Sequence, residues 1–538
     1  MQVLISIPEF RIFIWNKFSF NSVKSVNYYL MKIFSISALF FLMLVCSIAR
    51  ADAQADTQIL EGLNLIYDLR FDEAENVFLS IQKSNPADIK GYFYESLIYF
   101  YKAMPSRNEE MFNKYIDLSE KVIQKSEDLL DKNENDYDAL YYKGLTHSYV
   151  SLLMLSLNKS LLKAASNGND GYRILSSLIE RKPDYYDAYM GLGLYKVALG
   201  FVPEKFKWLL SLIGFEGNIK DGVKYLNISK DKGKFTRTDS KVFLSIFSLR
   251  EKEDNDKTAL KYSEELISEF PQSAVFRVFY SSILLQYGFT QDAIDNANTA
   301  LELNKPSFFK EEIIKSSNAV LGTAYFRLNE YDKSIPYLEN YMKLVNYEDR
   351  YNVYLFTLAV AYELTGSRSA AIDRYAGVRK DFINERDGEL DKFFYRYARE
   401  KIKKPLNEFD KKLITGMNLR ESFKLKEALD IYDEIRNDGS LKIYNSDDDL
   451  IKYYFDAALT YSYSGDYKKA EEFFKKCIQL KPENETWLVP HSFFELGKIY
   501  SRTGRKAESE EMFERVHDYD DFDFESFLDM RLANFRNK

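Results

Sequence analysis

The side chains best suited to catalysis or metal binding are few and widely spaced in this 538-residue sequence. The three histidines, His147, His491 and His517, match no metal-ligand spacing, and neither H-E-x-x-H nor C-x-x-C occurs. His147 falls within a predicted helix, so we interpret it as an interior histidine with a satisfied hydrogen bond. The sequence predicts no catalytic residue, no metal site and no cofactor.

Two glycines, Gly191 and Gly193, resemble the start of a nucleotide-binding G-x-G-x-x-G loop. The third glycine is missing, and the pair lies inside a predicted helix rather than between a strand and a helix. We interpret these glycines as a place where two helices cross closely. Neither a Walker A sequence nor a G-x-S-x-G elbow occurs.

One acidic stretch resembles a calcium-binding loop. Asp131, Asn133 and Asn135 match its first ligand positions, but position 6 is Asp136 rather than Gly and position 12 is Tyr142 rather than Glu. The resemblance fails where calcium ligation depends on it. The sequence instead predicts a linker that caps the next helix.

A second acidic stretch lies near the end of the sequence. It contains Asp518, Asp520, Asp521, Asp523 and Glu525 among aromatic residues. A solvated cap over the last structural unit is favoured. A cation site and a docking patch for a basic partner are the alternatives.

The composition narrows the fold class. With 46% hydrophobic and 16% aromatic residues the chain has enough apolar surface to fold, and two cysteines exclude a disulfide scaffold. Only 22 Gly and 11 Pro argue against an all-β fold, which needs frequent turns. The composition therefore predicts a large, mostly helical, acidic protein.

Residues 31–51 have the three parts of a secretory signal peptide. Lys32 precedes an apolar run over 33–45, and Ala49-Arg50-Ala51 provides the cleavage site. This run of 13 residues is shorter than the roughly 20 that span a bilayer. We expect translation to start at Met31, residues 1–30 to be an extension outside the protein, and export to the periplasm or outer membrane. The alternative to a signal peptide is that this apolar run forms a buried helix of the fold.

Lipidation at Cys46 is disfavoured because Val45, which is not a small residue, precedes the cysteine. Cleavage near Ala51 would leave Cys477 as the remaining cysteine. It would also leave 69 basic and 81 acidic residues, a net charge of about −12. Such a chain disfavours nucleic acid and simple electrostatic binding to anionic lipid.

A repeated pattern organises the rest of the sequence. Small and aromatic residues recur at the same offsets in four segments, and a turn glycine recurs in the last three of them. The segments are, in order, Gly322, Tyr325, Ser334 and Leu338; Ala359, Tyr362, Gly366, Ala371 and Tyr375; Ala458, Tyr461, Gly465, Ala470, Phe474 and Pro482; Gly497, Tyr500, Gly504, Ser509 and Phe513. These residues resemble the tetratricopeptide repeat, a helix-turn-helix unit. Weaker copies extend the resemblance over about 56–521.

The resemblance implies an all-α solenoid in which antiparallel helix pairs stack into a superhelix. Small residues sit where paired helices cross, aromatic residues fill the space between units, and Gly366 and Gly465 end first helices in a left-handed conformation. We expect an irregular repeat region over 52–230, central repeats over 231–400, C-terminal repeats over 401–521 and a tail over 522–538. Stretches 105–135 and 150–172 lengthen the helices or loops.

Residues 200–217 form an apolar insert, predicted as a short helix that begins at Pro203 and ends at Gly214. The wider segment 188–226 resembles tetratricopeptide proteins of the inclusion-body-clearance family and uncharacterised bacterial relatives. A helix that plugs the solenoid core is favoured over an exposed docking helix.

In tetratricopeptide proteins, first-helix residues line a concave face that binds a peptide or a partner helix. The corresponding residues here are Phe326, Arg327, Phe356, Val360, Glu363, Phe455, Leu459, Tyr463, Phe494, Lys498 and Arg502. No Lys/Asn clamp for a C-terminal carboxylate is evident among them, so we expect recognition of an apolar helical or extended segment.

The sequence therefore predicts an exported, non-enzymatic scaffold that binds other proteins or peptide segments and not nucleic acid, with peripheral association with the outer membrane as a further possibility. Two alternatives remain open. One is an envelope component that binds nutrients or glycans, and the other is an enzyme with an unrecognised site in 105–230.

Overall fold

The computed structural model describes residues 54–200, 219–250, 256–345, 350–381 and 388–536. The chain divides into two compact units, residues 1–60 and 61–538. In the first unit residues 54–60 are helical, and in the second the regular elements of the described stretches are all helices. The predicted all-α class is confirmed for this part of the chain.

Residues 61–67 are helical, and the helices that follow are numbered here in chain order. They are α1 Phe71–Ser84, α2 Lys90–Ser106, α3 Glu109–Leu130, α4 Tyr137–Ser156, α5 Leu161–Arg181, α6 Ala188–Gly200, α7 Ile219–Lys232, α8 Arg237–Arg250, α9 Thr258–Glu269, α10 Ala274–Gln286, α11 Thr290–Leu303, α12 Lys310–Arg327, α13 Tyr331–Leu344, α14 Tyr351–Leu364, α15 Arg368–Gly377, α16 Gly388–Lys403, α17 Glu408–Glu421, α18 Leu425–Asn437, α19 Ser440–Ile443, α20 Asp447–Ser464, α21 Tyr467–Cys477, α22 Leu488–Arg502, α23 Lys506–Arg515 and α24 Glu525–Arg536.

The small residues of the repeat lie where paired helices cross. The Ser334 hydroxyl of α13 donates a hydrogen bond of 2.7 Å to the Gly322 carbonyl of α12. Ser509 of α23 makes the same bond to Gly497 of α22, at 2.8 Å. A β-carbon at Gly497 would lie 2.4 Å from the Phe513 ring. The predicted role of these positions is confirmed.

The turn between paired helices needs one residue in the left-handed conformation. Gly366 and Gly465 supply it with φ +84° each, and a β-carbon at either would meet nothing within 4 Å. Backbone geometry rather than space therefore favours glycine there. The Asp466 N–H closes the turn on the Tyr461 carbonyl at 3.0 Å.

The N-terminal hairpins are longer than those of the C-terminal repeats. Helices α3, α4 and α5 have 22, 20 and 21 residues, against 11 in α21 and 10 in α23. The lengthening expected over 105–135 and 150–172 is present.

Several sequence predictions concern residues whose placement is not described. Residues 1–30 and the leader at 31–51 lie outside the described residues. The apolar insert at 200–217 also lies outside them, apart from Gly200 at the end of α6.

The motifs that resembled chemical sites are accounted for by packing. A β-carbon at Gly191 would lie 2.4 Å from Leu175, and one at Gly193 would lie 2.9 Å from the Gly222 carbonyl. His147 forms a hydrogen bond of 2.8 Å with Asn167. These glycines lie inside α6 and bring neighbouring helices together, as predicted.

The acidic linker at 131–136 acts as a helix cap. The Asp136 carboxylate accepts the Ala139 N–H at 2.9 Å at the start of α4. Asn135 accepts a hydrogen bond of 3.2 Å from the Arg181 guanidinium. The predicted capping role is confirmed.

Repeats that are distant in sequence also contact each other within the second unit. The Ser273 hydroxyl donates to the Tyr67 carbonyl at 2.6 Å, and the Thr290 hydroxyl lies 3.1 Å from the Ser422 hydroxyl. The Asn418 amide of α17 donates to the Phe326 carbonyl of α12 at 2.9 Å. Simple stacking predicts contacts between neighbouring repeats only. In this fold, repeats that are far apart in sequence are also in contact.

A buried carboxylate joins four helical segments in the N-terminal half. Asp239 of α8 accepts hydrogen bonds from Tyr67 at 3.1 Å, from Tyr101 at 2.5 Å and from Tyr149 at 2.9 Å. Burial raises the pKa of Asp239, and the three hydroxyls partly oppose that shift. The tyrosine-rich core therefore contains a polar junction at Asp239, which was not predicted from the sequence.

The segment expected as a C-terminal tail contains helix α24. Its Leu528 and Leu532 are buried in the hydrophobic core of the last repeats. Asp523, one of the clustered acidic residues, pairs with Arg396 at 2.6 Å. This segment therefore covers the end of the repeat core, which would otherwise face water.

Candidate partner-binding surface

The eleven residues predicted to line a binding groove differ widely in exposure. Phe326, Val360, Glu363, Phe455 and Phe494 are buried, and Tyr463 and Arg502 are exposed. Arg327, Phe356, Leu459 and Lys498 are half-buried. The buried residues contact the protein's own helices. A partner can therefore reach only the exposed and half-buried residues of this set.

Glu363 is used inside the fold. Its carboxylate accepts hydrogen bonds from Arg368 at 2.9 Å, from Tyr375 at 2.9 Å and from the Leu406 N–H at 2.8 Å. These bonds hold α14 against α15 and against the start of the next repeat. A buried carboxylate whose oxygens already accept hydrogen bonds within the fold stabilises the structure and is not available to bind a partner.

Helix α24 covers the groove residues of α22. The Arg531 guanidinium lies 4.5 Å from the Phe494 ring centre and 2.8 Å from the Glu495 carboxylate. Lys498 pairs with the same carboxylate at 2.9 Å. Burial alone would raise the pKa of Glu495, but the two cations lower it to about 2.

His491 lies close to this cluster and is buried against Trp487, with ring centres 5.2 Å apart. Burial lowers the pKa of the histidine to about 3, so it is neutral at physiological pH. Among the described residues, no group of three or more His, Cys, Asp or Glu side chains could hold a metal ion.

Phe356 of α14 is covered by α16. Its ring lies 5.0 Å from Phe394, 5.4 Å from Tyr375 and 6.4 Å from Tyr397. Helix α16 follows a complete hairpin and adds aromatic residues to this part of the core. The sequence pattern did not identify it as a cover for the predicted groove.

A charge network joins the C-terminal ends of α12 and α17 to the middle of α20. Arg327 of α12 donates to the Leu285 carbonyl at 2.6 Å and lies 3.8 Å from the Glu421 carboxylate of α17. The adjacent Arg420 pairs with Asp456 of α20 at 2.6 Å. Three inner helices are thereby connected at one edge of the repeats.

Two exposed aromatic rings lie at this edge. Tyr463, at the end of α20, is 39% exposed, and Phe423, in the turn after α17, is 54% exposed. Their rings are parallel, with centres 6.2 Å apart. The Phe423 ring also covers Gly288, where a β-carbon would lie 2.3 Å from it, and the neighbouring Phe289 is 40% exposed. We call Phe289, Phe423 and Tyr463 the aromatic turn patch.

Phe423 occupies the left-handed turn position with φ +54°. The matching positions of three other repeats are Gly366, Gly465 and Gly504. A bulky side chain at positive φ is strained, by roughly 1 to 2 kcal/mol. Phe423 was not among the residues predicted from the sequence, although an aromatic residue in place of a turn glycine was the available signal.

Comparison with family models agrees with the repeat pattern. Residues 451–484 and 490–521 match the tetratricopeptide repeat, and residues 188–343 match the Iml2/Tetratricopeptide repeat protein 39 family. The resemblance expected over 188–226 lies within the second match. No curated protein matches the chain.

Two solved structures are similar at low sequence identity. The crystal structure of the apo form of RapI is 14% identical, with a TM-score of 0.39, over 72% of this chain and 96% of that chain. The human IFIT1 dimer with PPP-AAAA is 12% identical, with a TM-score of 0.35, over 86% of this chain and 94% of that chain.

Proposed function

Because the chain contains tetratricopeptide repeats, we propose that it is a scaffold that binds another protein through the aromatic turn patch and the accessible groove residues beside it. Tetratricopeptide repeats generally bind proteins, and the inner helices end at this patch. The expected ligand is an apolar helical or extended segment, because exposed aromatic rings bury apolar side chains well.

The observation that carries the proposal is the strained, exposed Phe423. Backbone strain persists where something compensates for it, and it clusters at binding sites. Glycine would relieve the strain, as it does in the turns of three other repeats. The Phe423 ring contacts Gly288 and Tyr463, and the 54% of the residue that stays exposed offers an apolar surface to a partner.

We further propose that the scaffold is exported and acts in the periplasm or on the inner face of the outer membrane. The leader-like sequence over 31–51 supports this location. Cell fractionation combined with N-terminal sequencing tests it. A mature chain that begins near Asp52 in the envelope fraction supports export, and an uncleaved cytoplasmic chain contradicts it.

Photo-crosslinking tests the binding surface. A photoreactive phenylalanine replaces Phe423 in one strain and Leu69 in the control strain, because Leu69 occupies the same left-handed turn position in the first repeat, with φ +61°. We expect a defined protein adduct at position 423 and none at position 69. Equal adducts at both positions, or none at either, would refute the assignment.

Glycine substitution separates binding from folding. Phe423→Gly removes the ring and relieves the strain, so we expect the free energy of unfolding to change by less than about 1 kcal/mol. Binding of the crosslinked partner should fall at least ~10-fold, because a central aromatic contact is lost. Leu69→Gly, the matched control, should leave partner affinity unchanged.

A further inference from the structure

The hairpin formed by α4 and α5 is longer than the hairpin formed by α12 and α13. Gly144 and Gly171 form its crossing point, where a β-carbon at Gly171 would lie 2.8 Å from the Gly144 carbonyl. Twelve residues of α4 follow Gly144, whereas five residues of α12 follow Gly322 at the matching position. Seven extra residues at 1.5 Å each extend the hairpin by about 10 Å.

The second helix is lengthened by a similar amount. Ten residues of α5 precede Gly171, whereas three residues of α13 precede Ser334, the matching crossing position. Both helices are thus extended at the turn end, and residues 157–163, which we call the hairpin tip, lie beyond the crossing point.

The hairpin tip has a defined turn and two exposed leucines. Asn158, with φ +53°, ends α4, and the Lys159 N–H closes the turn on the Met154 carbonyl at 2.8 Å. Ser160 caps α5 by accepting the Lys163 N–H. The first two residues of α5, Leu161 and Leu162, are 69% and 85% exposed.

The charged side chains that the hairpin itself carries around its tip are all basic. The chain has 82 acidic residues, yet residues 139–169 contain none and include Lys143, Lys159 and Lys163. Lys159 pairs with Glu109 of the neighbouring hairpin at 2.6 Å. Lys163 is exposed beside the two leucines. The hairpin therefore brings no carboxylate of its own to a negatively charged surface.

We propose that the hairpin tip docks on an anionic lipid bilayer, with Leu161 and Leu162 inserted between the lipids and Lys163 among the headgroups. A hairpin tip with two adjacent, exposed leucines suits insertion into a deformable bilayer. It is too small for a stable protein interface, which buries roughly 800 Å² on each partner. Among the described residues no helix is both long and apolar enough to cross a membrane.

Vesicle sedimentation tests the proposal with the full chain. The vesicles are phosphatidylcholine with phosphatidylglycerol, or phosphatidylcholine alone. We expect preferential binding to the anionic vesicles and a loss of ~10-fold or more in the Leu161→Glu/Leu162→Glu variant. The control is Ile443→Glu, which adds a carboxylate at another exposed apolar residue, 74% exposed on α19.

A local probe excludes binding through the leader, which every variant shares. Leu162→Cys in a Cys46→Ser background is labelled with an environment-sensitive dye, since Cys477 is buried. Its emission should shift to the blue on anionic vesicles. An unshifted emission, equal binding to both kinds of vesicle, or unchanged binding of the double glutamate variant would overturn the proposal.

The same double variant distinguishes this proposal from the scaffold function. Thermal unfolding monitored by circular dichroism confirms that Leu161→Glu/Leu162→Glu is folded. Crosslinking at position 423 should persist in it if the two surfaces are independent. A protein adduct formed through a photoreactive residue at 162 would show that a protein covers the tip, which would contradict the lipid assignment and leave the scaffold function intact.

Discussion

Phe423 and Glu495 serve different purposes in the repeats. Phe423 keeps an exposed ring at a left-handed backbone position, where folding favours glycine. Glu495 is buried and holds two cations against the last repeat. At the scale of single residues, strain together with exposure indicates binding, and burial with satisfied partners indicates stability.

The pH dependence of stability tests the role of Glu495. Its folded pKa of about 2 lies below the ordinary value of 4.5, so it stabilises the fold above pH 4.5 and loses this contribution as the pH falls towards 2. We expect Glu495→Gln to lower the free energy of unfolding by about 3 kcal/mol at neutral pH. Urea denaturation at several pH values should show the difference shrinking below pH 4.5.

The control is Glu510→Gln, which removes an exposed ion pair with Arg536. Exposed pairs contribute little, so the expected change is below about 1 kcal/mol at any pH. A Glu495→Gln effect that is the same at pH 3 and pH 7 would show that packing, rather than charge, explains its contribution.

At the scale of elements, the spacing of small residues sets how closely helices pair. Gly144 and Gly171 let α4 and α5 approach, as Gly322 and Ser334 do for α12 and α13. The distance from this crossing point to the turn then differs between hairpins. The result is a similar crossing geometry in hairpins of different length, and the long α4–α5 hairpin carries the exposed Leu161 and Leu162 at its turn.

Gly171→Ala tests the close approach in the long hairpin. The new β-carbon would lie 2.8 Å from the Gly144 carbonyl and 3.0 Å from the Ser148 nitrogen, both backbone atoms that cannot rotate away. We expect a loss of about 1 to 3 kcal/mol in urea denaturation. Gly377→Ala, near the end of α15 and 3.0 Å from one Leu355 methyl group, is the control. It should change stability by less than about 1 kcal/mol.

At the scale of the whole molecule, contacts between distant repeats distinguish the second unit from a simple stack. The Asp239 junction joins residues up to 172 positions apart, and the Ser273 bond spans 206. Hydrophobic packing alone would not require a carboxylate at the junction. Its burial is compensated by three hydroxyl donors, which fixes one arrangement of four helical segments.

Asp239→Ala should lower the free energy of unfolding by about 3 kcal/mol, because three tyrosine hydroxyls lose their shared acceptor. Asp239→Asn should be milder, since its amide oxygen still accepts. Burial raises the pKa of Asp239 above its ordinary 3.8, so wild-type stability relative to Asp239→Asn should fall as the pH rises above 3.8. Urea denaturation from pH 4 to 7 measures this slope, and a flat difference contradicts the assignment.

The sequence by itself determined the helical class, the repeat and the function of its small residues and turn glycines. These follow from local periodicity, because helix pairing depends on residues a few positions apart. Only the tertiary structure decided which groove residues are accessible. Phe356 is covered by α16 and Phe494 by α24, and Tyr67, Tyr101 and Tyr149 meet Asp239 across long separations. Contacts between distant segments depend on how all the hairpins stack. A sequence pattern that spans a few residues cannot predict that arrangement.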